Sequence, residues 1–567
     1  MTGQGAWRAP SPATAREGPC MADPLVVASA PREVHFPEPV TDPAILEAYL
    51  EDASGNPPGR AGGLLRPSSE GEAAAFLRAT AGQGVAVLPQ AARSSLTGGA
   101  VPSGEIVLSV EKLDGIGPIE RHPGGARVSA GAGVRLQDLQ REVASRGFYY
   151  PPVPTYQEAM LGGTASTNAG GSATFKYGVT RQWIRGLRVL LSNGDLLALE
   201  RGQAVARRGE RFLVRLSDGS LLTVPVPGWR LPDLKKISAG YHAADLLDLV
   251  DLFVGSEGTL GLITEVTVDL VPAPPAVLTG LVFPSGMGAA LAFSADLRAA
   301  ATAARAAADL RGPDVRAIEL MDGRALTLLR EHGDARKLRV TIPEGAGAGL
   351  LFEMELPERV GNDDAQEAFE AFLADETGAP DAPIPRLLRI LSRHGALETL
   401  EVAFPEDQAR REALHEFREA VPKRVNEILA SRRLDDPGAK KVGGDLIVPF
   451  ECLSEMVRIY EDGFSRRGLE FAIWGHVSDG NLHPNAMPRT SAEAHLAVEA
   501  LLEFADEAAR RGGSPLSEHG VGKSAVKQEM LRRFLGDGAV EAMQGIKAAL
   551  DPEWRFSPGV LFPKPRG

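Results

Sequence analysis

In the first half of the chain, short amphipathic helices alternate with short apolar strands. Residues 70–82 place Ala74, Phe76, Leu77 and Ala81 on one side, which is typical of an amphipathic helix. The same analysis predicts helices at 45–50 and 136–146 and strands at 85–88, 106–110, 126–133 and 265–271.

Two hairpins are predicted from turn residues. Asn193-Gly194 separates apolar runs at 187–191 and 196–199, and Asp218-Gly219 separates runs at 212–216 and 221–226. The second hairpin lies within residues 203–236, which have the pattern of an insertion.

The second half of the chain has a different pattern. After Pro272-Ala-Pro-Pro275 come an Ala-rich amphipathic helix at 289–310, a strand at 350–356 and a helix at 364–374. This alternation predicts an antiparallel sheet with helices on one side, as in a ferredoxin-like domain.

Two stretches are rich in glycine and small residues. In 89–102, Gly98-Gly99 would let backbone N–H groups point outward together and bind an anion such as a pyrophosphate. The stretch matches neither a Walker loop nor Gly-x-Gly-x-x-Gly, so a structural turn is the alternative. Residues 161–171 carry no bulky side chain after Leu161. We expect them to form no packed element but a backbone surface for a large planar or phosphorylated ligand, with a flexible linker as the alternative.

A pair of histidines flanks a polar turn late in the chain. An apolar run from Phe471 ends at Gly475, and His476 and His483 lie on either side of Ser478-Asp-Gly-Asn481. Glu518 and His519 follow before another glycine-rich turn. Two imidazoles and a carboxylate are a suitable donor set for a divalent metal with an open position. Histidines that cap turns or lie in the core are the alternative.

Composition narrows the function classes. A chain of 567 residues should hold two or three domains, and its net charge of −13 argues against non-specific nucleic-acid binding. Two cysteines, Cys20 and Cys452, exclude a disulfide scaffold and a ferredoxin-type iron–sulfur segment. No apolar run reaches the roughly 18 residues that span a bilayer. The first twenty residues lack the apolar core of a secretory signal, so we expect a cytoplasmic protein with an unstructured tail.

Together these stretches resemble the FAD-linked oxidase family of the vanillyl-alcohol-oxidase superfamily. Within it, the chain is similar to the branch of D-lactate dehydrogenase, D-2-hydroxyglutarate dehydrogenase and the glycolate oxidase catalytic subunit. The resemblance runs from about residue 45 to 563. It rests on Ser95-Leu-Thr-Gly-Gly-Ala-Val-Pro102, Gly162-Gly163, Asn168-Ala-Gly-Gly171, Lys176-Tyr-Gly178, Gly255-Ser-Glu-Gly-Thr-Leu-Gly261, His476 to His483 and Glu518-His-Gly-Val-Gly522.

The resemblance implies an α+β fold with a PCMH-type, two-subdomain FAD-binding domain and a ferredoxin-like cap. The expected organisation is an unstructured tail at 1–44, the FAD-binding domain at 45–275, the substrate or cap domain at 276–515 and a segment at 516–567 that packs back on the FAD domain.

It also implies residues that contact FAD. These are Ala91, Ala92, Arg93, Ser94, Ser95, Thr97 and Gly98 for the pyrophosphate, Pro154, Thr155, Gly162, Gly163, Thr167, Gly170 and Gly171 for the flavin and ribityl chain, and Ser256, Gly258 and Ile263 through backbone groups. Relatives usually carry glycines where this chain has Ala91-Ala92-Arg93, and Arg93 could add a charge-assisted phosphate contact. Because no histidine occurs from 123 to 241, non-covalent FAD is expected.

For the reaction, the resemblance implies oxidation of a D-2-hydroxy acid (D-lactate, glycolate or D-2-hydroxyglutarate) to the 2-oxo acid, with hydride transfer to flavin N5. His476, His483 and Glu518 would ligate the metal, with Zn²⁺ expected and Mn²⁺ or Fe²⁺ as alternatives. His519 would be the general base, Arg418 would bind the substrate carboxylate, and Asn481 would hydrogen-bond the substrate or orient a ligand.

Two other functions stay open. One is a non-catalytic FAD-binding subunit of a larger oxidoreductase, and the other is a transferase like alkylglycerone-phosphate synthase. For the enzyme, we expect a quinone, a cytochrome or an electron-transfer flavoprotein as electron acceptor, with O₂ as the alternative. We also expect a homodimer and a cytoplasmic location, with attachment to the inner membrane surface as an alternative.

Overall fold

The computed structural model describes residues 25–31, 34–152, 154 and 156–563. These residues form two compact units. Unit 1 comprises the described parts of Met1–Gly171, Gly178–Ala273 and Leu516–Gly567, and unit 2 comprises Ser172–Tyr177 and Pro274–Pro515.

Strands and helices alternate along the chain. The strands are β1 Leu25–Val27, β2 Gly63–Leu65, β3 Val87–Gln90, β4 Ile106–Ser109, β5 Glu120–His122, β6 Gly125–Gly131, β7 Phe148–Tyr149, β8 Ile184–Leu190, β9 Leu196–Glu200, β10 Val205–Arg207, β11 Arg211–Arg215, β12 Leu221–Pro225, β13 Leu246–Asp248, β14 Leu262–Pro272, β15 Ala276–Val282, β16 Asp314–Asp322, β17 Ala348–Leu356, β18 Glu401–Ala403, β19 Val442–Gly443, β20 Leu446–Ile447, β21 Phe471–His476 and β22 Asn481–Ala486.

The α-helices are α1 Pro43–Leu46, α2 Glu70–Ala79, α3 Leu136–Ala144, α4 Leu161–Thr167, α5 Thr174–Tyr177, α6 Thr180–Trp183, α7 Leu249–Phe253, α8 Met287–Ala307, α9 Gly323–Glu331, α10 Asp334–Lys337, α11 Asn362–Ala374, α12 Pro383–Arg393, α13 Gln408–Asp435, α14 Leu453–Ser465, α15 Ser491–Arg510, α16 Ala525–Leu535 and α17 Asp537–Leu550. Short 3-10 helices occupy Glu47–Tyr49, Phe450–Cys452 and Val477–Asp479. No helix among the described residues is long and apolar enough to cross a bilayer.

Unit 1 contains two main sheets of different character. A small parallel sheet has the order β2-β4-β3, and a larger antiparallel sheet has the order β5-β6-β14-β8-β9, with β7 also paired to β14. The mixed α and β class predicted from the sequence is therefore confirmed, and so are both hairpins, β8–β9 and β11–β12.

The predicted unstructured tail, residues 1–44, is partly ordered. Residues 1–24, 32 and 33 lie outside the described residues, but β1 pairs in parallel with β11 and joins the β11–β12 hairpin in a three-stranded sheet. Val26 of β1 and its partner Val214 are both buried. The prediction was wrong for β1 because its short apolar run gains burial only against the distant hairpin.

The glycine-rich stretch 161–171 also differs from expectation, since it begins with the packed helix α4. Leu161 and Ala165 are fully buried, and a Cβ at Gly162 would lie 2.5 Å from the Cβ of Ala132. Small residues here permit close packing of a helix rather than preventing a packed element. Asn168 ends the helix in the left-handed conformation, with φ at +50°.

Unit 2 is built on one antiparallel sheet, as predicted. Its order is β18-β15-β17-β16-β21-β22-β19, and β20 also pairs with β22. Helices cover both faces rather than one: Phe293 of α8 contacts Phe352, while Phe417 of α13 clusters with Leu351. All nine residues of β17 are buried, so both faces of this strand need a covering layer.

Candidate functional site

In unit 1, the loop after β3 offers a row of backbone donors. The N–H groups of Ala92, Arg93, Ser94 and Ser95 donate no hydrogen bond to any described residue. Arg93 has φ at +57°, a conformation that turns successive N–H groups toward one side. The N–H groups of Thr97 and Gly99 instead donate to Ser95 Oγ, at 3.2 and 3.3 Å. The first half of the loop therefore carries four consecutive backbone donors, and the Gly98 N–H likewise donates to no described residue, whereas the Gly99 N–H is occupied.

Within Ala91-Ala92-Arg93, where relatives usually carry glycines, the contacts of the Ala91 and Arg93 side chains are defined. A Cβ at Gly163 would lie 3.1 Å from the Cβ of Ala91, so the glycine leaves room for the alanine methyl. The Arg93 guanidinium lies over the Tyr49 ring, 4.9 Å from its centroid, in a cation–π contact.

The turn Gly255–Gly258 docks on α4. Gly255 N donates to Ala165 O at 3.0 Å, and Glu257 N donates to Ser166 O at 2.8 Å. A Cβ at Gly258 would lie 3.5 Å from the Pro89 side chain at the end of β3. The loop after β3, the helix α4 and the Gly255–Gly258 turn, which are all predicted to bind the cofactor, therefore lie together within unit 1.

The remaining predicted cofactor residues of unit 1 lie at the end of α4, at buried positions in or near β14 and in irregular segments. Thr167 ends α4 with its hydroxyl bonded to Gly163 O at 3.0 Å, and Ser256 and Ile263 are buried. Gly170 and Gly171 follow α4, Pro154 lies in an irregular segment, and Thr155 lies outside the described residues.

Glu518 and His519 also belong to unit 1, in an irregular segment before α16. Lys236 is buried, with 2% exposure, and its Nζ donates to Glu518 Oε2 at 2.6 Å. His519 Nε2 lies 3.5 Å from Glu518 Oε1. Sequence reasoning assigned no role to Lys236, because the buried partner of a single lysine has no local signature.

Glu257 was also missed, and it fixes the segment that follows His519. Its carboxylate accepts hydrogen bonds from Val521 N at 2.8 Å and Gly522 N at 2.7 Å. Burial raises the pKa of the Glu257 carboxyl to about 7, although these two hydrogen bonds oppose the shift.

In unit 2, the sheet brings the two predicted histidines together. In the β21–β22 pair, His476 faces Asn481 and Trp474 faces His483, which places both imidazoles on one face. Their ring centroids are 5.5 Å apart and the rings are nearly perpendicular. Both residues are buried, at 4% and 5% exposure.

Glu319 of β16 contacts both His476 and Arg418 of α13. Glu319 Oε2 accepts a hydrogen bond from Arg418 Nε at 2.9 Å and lies 2.8 Å from Nη2 in the same ion pair, and Glu319 Oε1 lies 2.5 Å from His476 Nδ1. The predicted substrate-binding arginine therefore already directs one edge of its guanidinium to a carboxylate. A buried glutamate within the apolar run Ala317–Met321 was the available sequence signal.

Asp445 supports the second histidine. One of its carboxylate oxygens lies 3.8 Å from His483 Nδ1 and accepts from Asn481 Nδ2 at 3.3 Å. Asn481 Nδ2 also donates to Leu446 O at 2.9 Å, while its Oδ1 accepts no hydrogen bond from a described residue. Each imidazole thus has a nearby carboxylate, an arrangement that orients metal-binding histidines in proteins.

Two family models match the chain. The model described as FAD binding domain matches residues 61–200, and the model described as FAD linked oxidases, C-terminal domain, matches residues 284–561. Together they include most of the predicted cofactor residues and all of the predicted catalytic and metal residues.

Among curated relatives, the chain is similar to the glycolate oxidase subunit GlcD of Bacillus subtilis, at 29% identity over 88% of this chain and 89% of the relative. It is 28% identical to the D-2-hydroxyglutarate dehydrogenase of Xanthomonas citri pv. viticola, over 92% and 93%. It is 26% identical to the D-lactate dehydrogenase of Anaerostipes hadrus, over 88% and 89%. A solved structure of alkyldihydroxyacetonephosphate synthase is 14% identical, with a TM-score of 0.54 over 87% of this chain and 75% of that one, and supports the fold alone.

Proposed function

Because this chain belongs to the FAD-linked oxidases, we propose that it oxidises a D-2-hydroxy acid to the 2-oxo acid. The names of its relatives make D-lactate, glycolate and D-2-hydroxyglutarate the substrates to test first. The observation that carries the proposal is the buried group of Arg418, His476 and His483 in unit 2. A guanidinium next to two imidazoles suits a substrate with a carboxylate beside a hydroxyl.

We propose that FAD is bound non-covalently by the loop Ala91–Ser95 with Thr97 and Gly98, and by the α4 and Gly255–Gly258 stretches. The four loop N–H groups without a partner among the described residues fit a pyrophosphate. When bound, FAD would supply a two-electron acceptor at flavin N5.

For the metal, the proposed ligands are His476, His483 and Glu518, an assignment that rests on the sequence motif. Zn²⁺ suits two imidazoles and a carboxylate, and Mn²⁺ and Fe²⁺ are the alternatives. The paired carboxylates of Glu319 and Asp445 support this donor set. A bound ion would lower the pKa of the substrate hydroxyl.

The chain's own side chains would then hold the substrate and move its proton. Arg418 would bind the substrate carboxylate through the N–H groups that Glu319 does not accept. His519 would take the hydroxyl proton as general base. Asn481 Oδ1, buried and without a donor among the described residues, would accept a hydrogen bond from the substrate.

For the subsequent electron transfer, we propose a separate acceptor: a quinone, a cytochrome or an electron-transfer flavoprotein. We also propose a cytoplasmic location, with attachment to the inner membrane surface as the alternative.

The test is anaerobic reduction of the bound flavin by each of the three hydroxy acids. We expect one of them to bleach the flavin rapidly. Chelation of the metal should slow bleaching, and His519→Ala should slow it by about 100- to 10,000-fold, because the hydroxyl proton loses its acceptor.

The matched control is His495→Ala, since His495 is an exposed histidine on α15. This variant should bleach at the wild-type rate. A flavin that none of the three acids reduces would contradict the proposed substrates and favour a non-catalytic FAD-binding subunit. A protein without flavin would contradict the cofactor assignment.

A further inference from the structure

Glu319 connects two groups to which the proposed function gives different tasks. It lies on β16 with 4% exposure. One of its oxygens accepts a hydrogen bond from Arg418 Nε and pairs with Nη2, while the other oxygen faces His476 Nδ1. Its partners come from α13 and β21, so three elements of unit 2 meet at one carboxylate.

The contact with His476 determines which ring nitrogen can bind a metal. A carboxylate accepts a proton donor, so Nδ1 carries the hydrogen and Nε2 presents its lone pair. An imidazole oriented in this way is a better metal ligand, because both its rotation and its tautomer are restricted.

The contact with Arg418 determines how the guanidinium is presented. Its Nε and Nη2 atoms are directed to Glu319 at 2.9 and 2.8 Å, which leaves the Nη1–Nη2 end for a second carboxylate. A guanidinium held along one edge cannot rotate freely, so less conformational entropy is lost when a substrate carboxylate binds.

From these contacts we propose that Glu319 is a positioning residue that holds the metal ligand His476 and the carboxylate-binding Arg418 in one arrangement. This inference rests on the proposed function and adds a coupling to it. Loss of Glu319 weakens two separable quantities at once: the affinity for the metal and the affinity for the substrate carboxylate.

Unit 2 contains a matched carboxylate for comparison. Glu353 on β17 is 3% exposed and also has an arginine and a histidine as partners: Arg316 at 2.9 Å for both contacts, and His415 at 3.1 Å. Neither partner belongs to the proposed metal or substrate residues. A carboxylate with a purely structural role should therefore behave like Glu353.

The experiment compares Glu319→Gln with Glu353→Gln. Each metal-free protein is titrated with Zn²⁺ in competition with a chromophoric chelator, and KM for the hydroxy acid that bleaches the wild-type flavin is measured after reloading. We expect Glu319→Gln to lower Zn²⁺ affinity by about 10- to 100-fold and to raise KM by at least about tenfold. Glu353→Gln should change neither by more than about threefold.

If Glu319→Gln does not fold, Glu319→Asp takes its place, because it keeps the charge but withdraws the carboxylate by one methylene. Wild-type Zn²⁺ affinity and KM in the folded Glu319 variant, or equal losses in the two glutamate variants, would overturn the positioning role. A wild-type protein that binds no Zn²⁺ and whose flavin no hydroxy acid reduces would overturn the proposed function itself, and the inference with it.

Discussion

At the scale of single residues, some ionisable side chains of this protein hold distant backbone segments in place. Glu257 is the clearest case: it has φ at +53° within the turn Gly255–Gly258, and its carboxylate receives two consecutive N–H groups, of Val521 and Gly522. A Cβ at Gly520 would lie 2.8 Å from Glu257 Oε1, so the carboxylate and the glycine segment fit closely. The segment that carries Glu518 and His519 is thereby fixed within unit 1.

A pH dependence of stability follows from Glu257. Its pKa in the folded protein is raised from 4.5 to about 7 by burial, so the folded state binds the proton more tightly than the unfolded state does. This contribution to stability is complete below the unfolded pKa and is lost as the pH rises through about 7. Between about pH 5.5 and about pH 8.5, we expect the free energy of unfolding to fall by about 2 kcal/mol relative to Glu257→Gln.

Urea denaturation of both proteins at the two pH values measures this difference. Other groups titrate equally in both proteins, so their contributions cancel in the comparison. A stability difference between wild type and Glu257→Gln that stays constant with pH would show that the carboxyl titrates normally.

At the scale of elements, α4 shows how glycine can serve packing. The helix lies so close to β6 and the residue after it that Gly162 has no room for a side chain, and Asn168 then reverses the chain in a left-handed turn. Both the Gly255–Gly258 turn and the loop after β3 contact this helix, so its position determines theirs.

Two glycine-to-alanine substitutions in helices should therefore have opposite effects. Gly162→Ala should destabilise the protein by about 1–3 kcal/mol and weaken FAD retention, because the new methyl would overlap Ala132. Gly545→Ala in α17, where a Cβ meets nothing within 4 Å, should stabilise the protein by up to about 1 kcal/mol through helix propensity. Thermal unfolding and released flavin measure both effects, and equal effects of the two variants would contradict the packing argument.

Elements with a local signal could be predicted from the sequence, and those without one could not. The β8–β9 and β11–β12 hairpins follow from Asn-Gly and Asp-Gly turns, and His476 and His483 follow from their spacing around a glycine turn. The strand β1 and the helix layer on the second face of β17 depend on distant partners. Residues such as Glu319 and Lys236 act through contacts far away in sequence, so a single sequence shows the charge but not its partner.

At the scale of the whole molecule, the last segment of the chain completes unit 1. Val87 N in β3 donates to Arg555 O at 2.8 Å, and Ser557 N donates to Val87 O at 2.8 Å. The Arg555 side chain is 1% exposed and donates to Leu77 O at 2.9 Å and to Val85 O at 3.1 Å, with a further contact to Ser192 O. One guanidinium thus satisfies carbonyl groups from three separate parts of unit 1.

We expect Arg555→Met to destabilise unit 1 by about 3 kcal/mol, because buried carbonyl oxygens lose charged donors. The effect should appear as a lower unfolding temperature and as loss of flavin on gel filtration. Arg215→Met, at an exposed position in β11, is the control and should behave like wild type. A fully stable, flavin-retaining Arg555→Met protein would show that the other C-terminal contacts suffice.

The interrupted course of the chain has a consequence for biosynthesis. After Ala273 the chain enters unit 2, and it returns to unit 1 only at Leu516. All of unit 2 therefore precedes the last segment of unit 1. On the ribosome, unit 2 can therefore fold while β3 still lacks the residues around Arg555 that complete its edge. Unit 1 becomes complete only after the residues around Arg555 have been translated, so we expect the proposed cofactor to be captured late in the synthesis of each molecule.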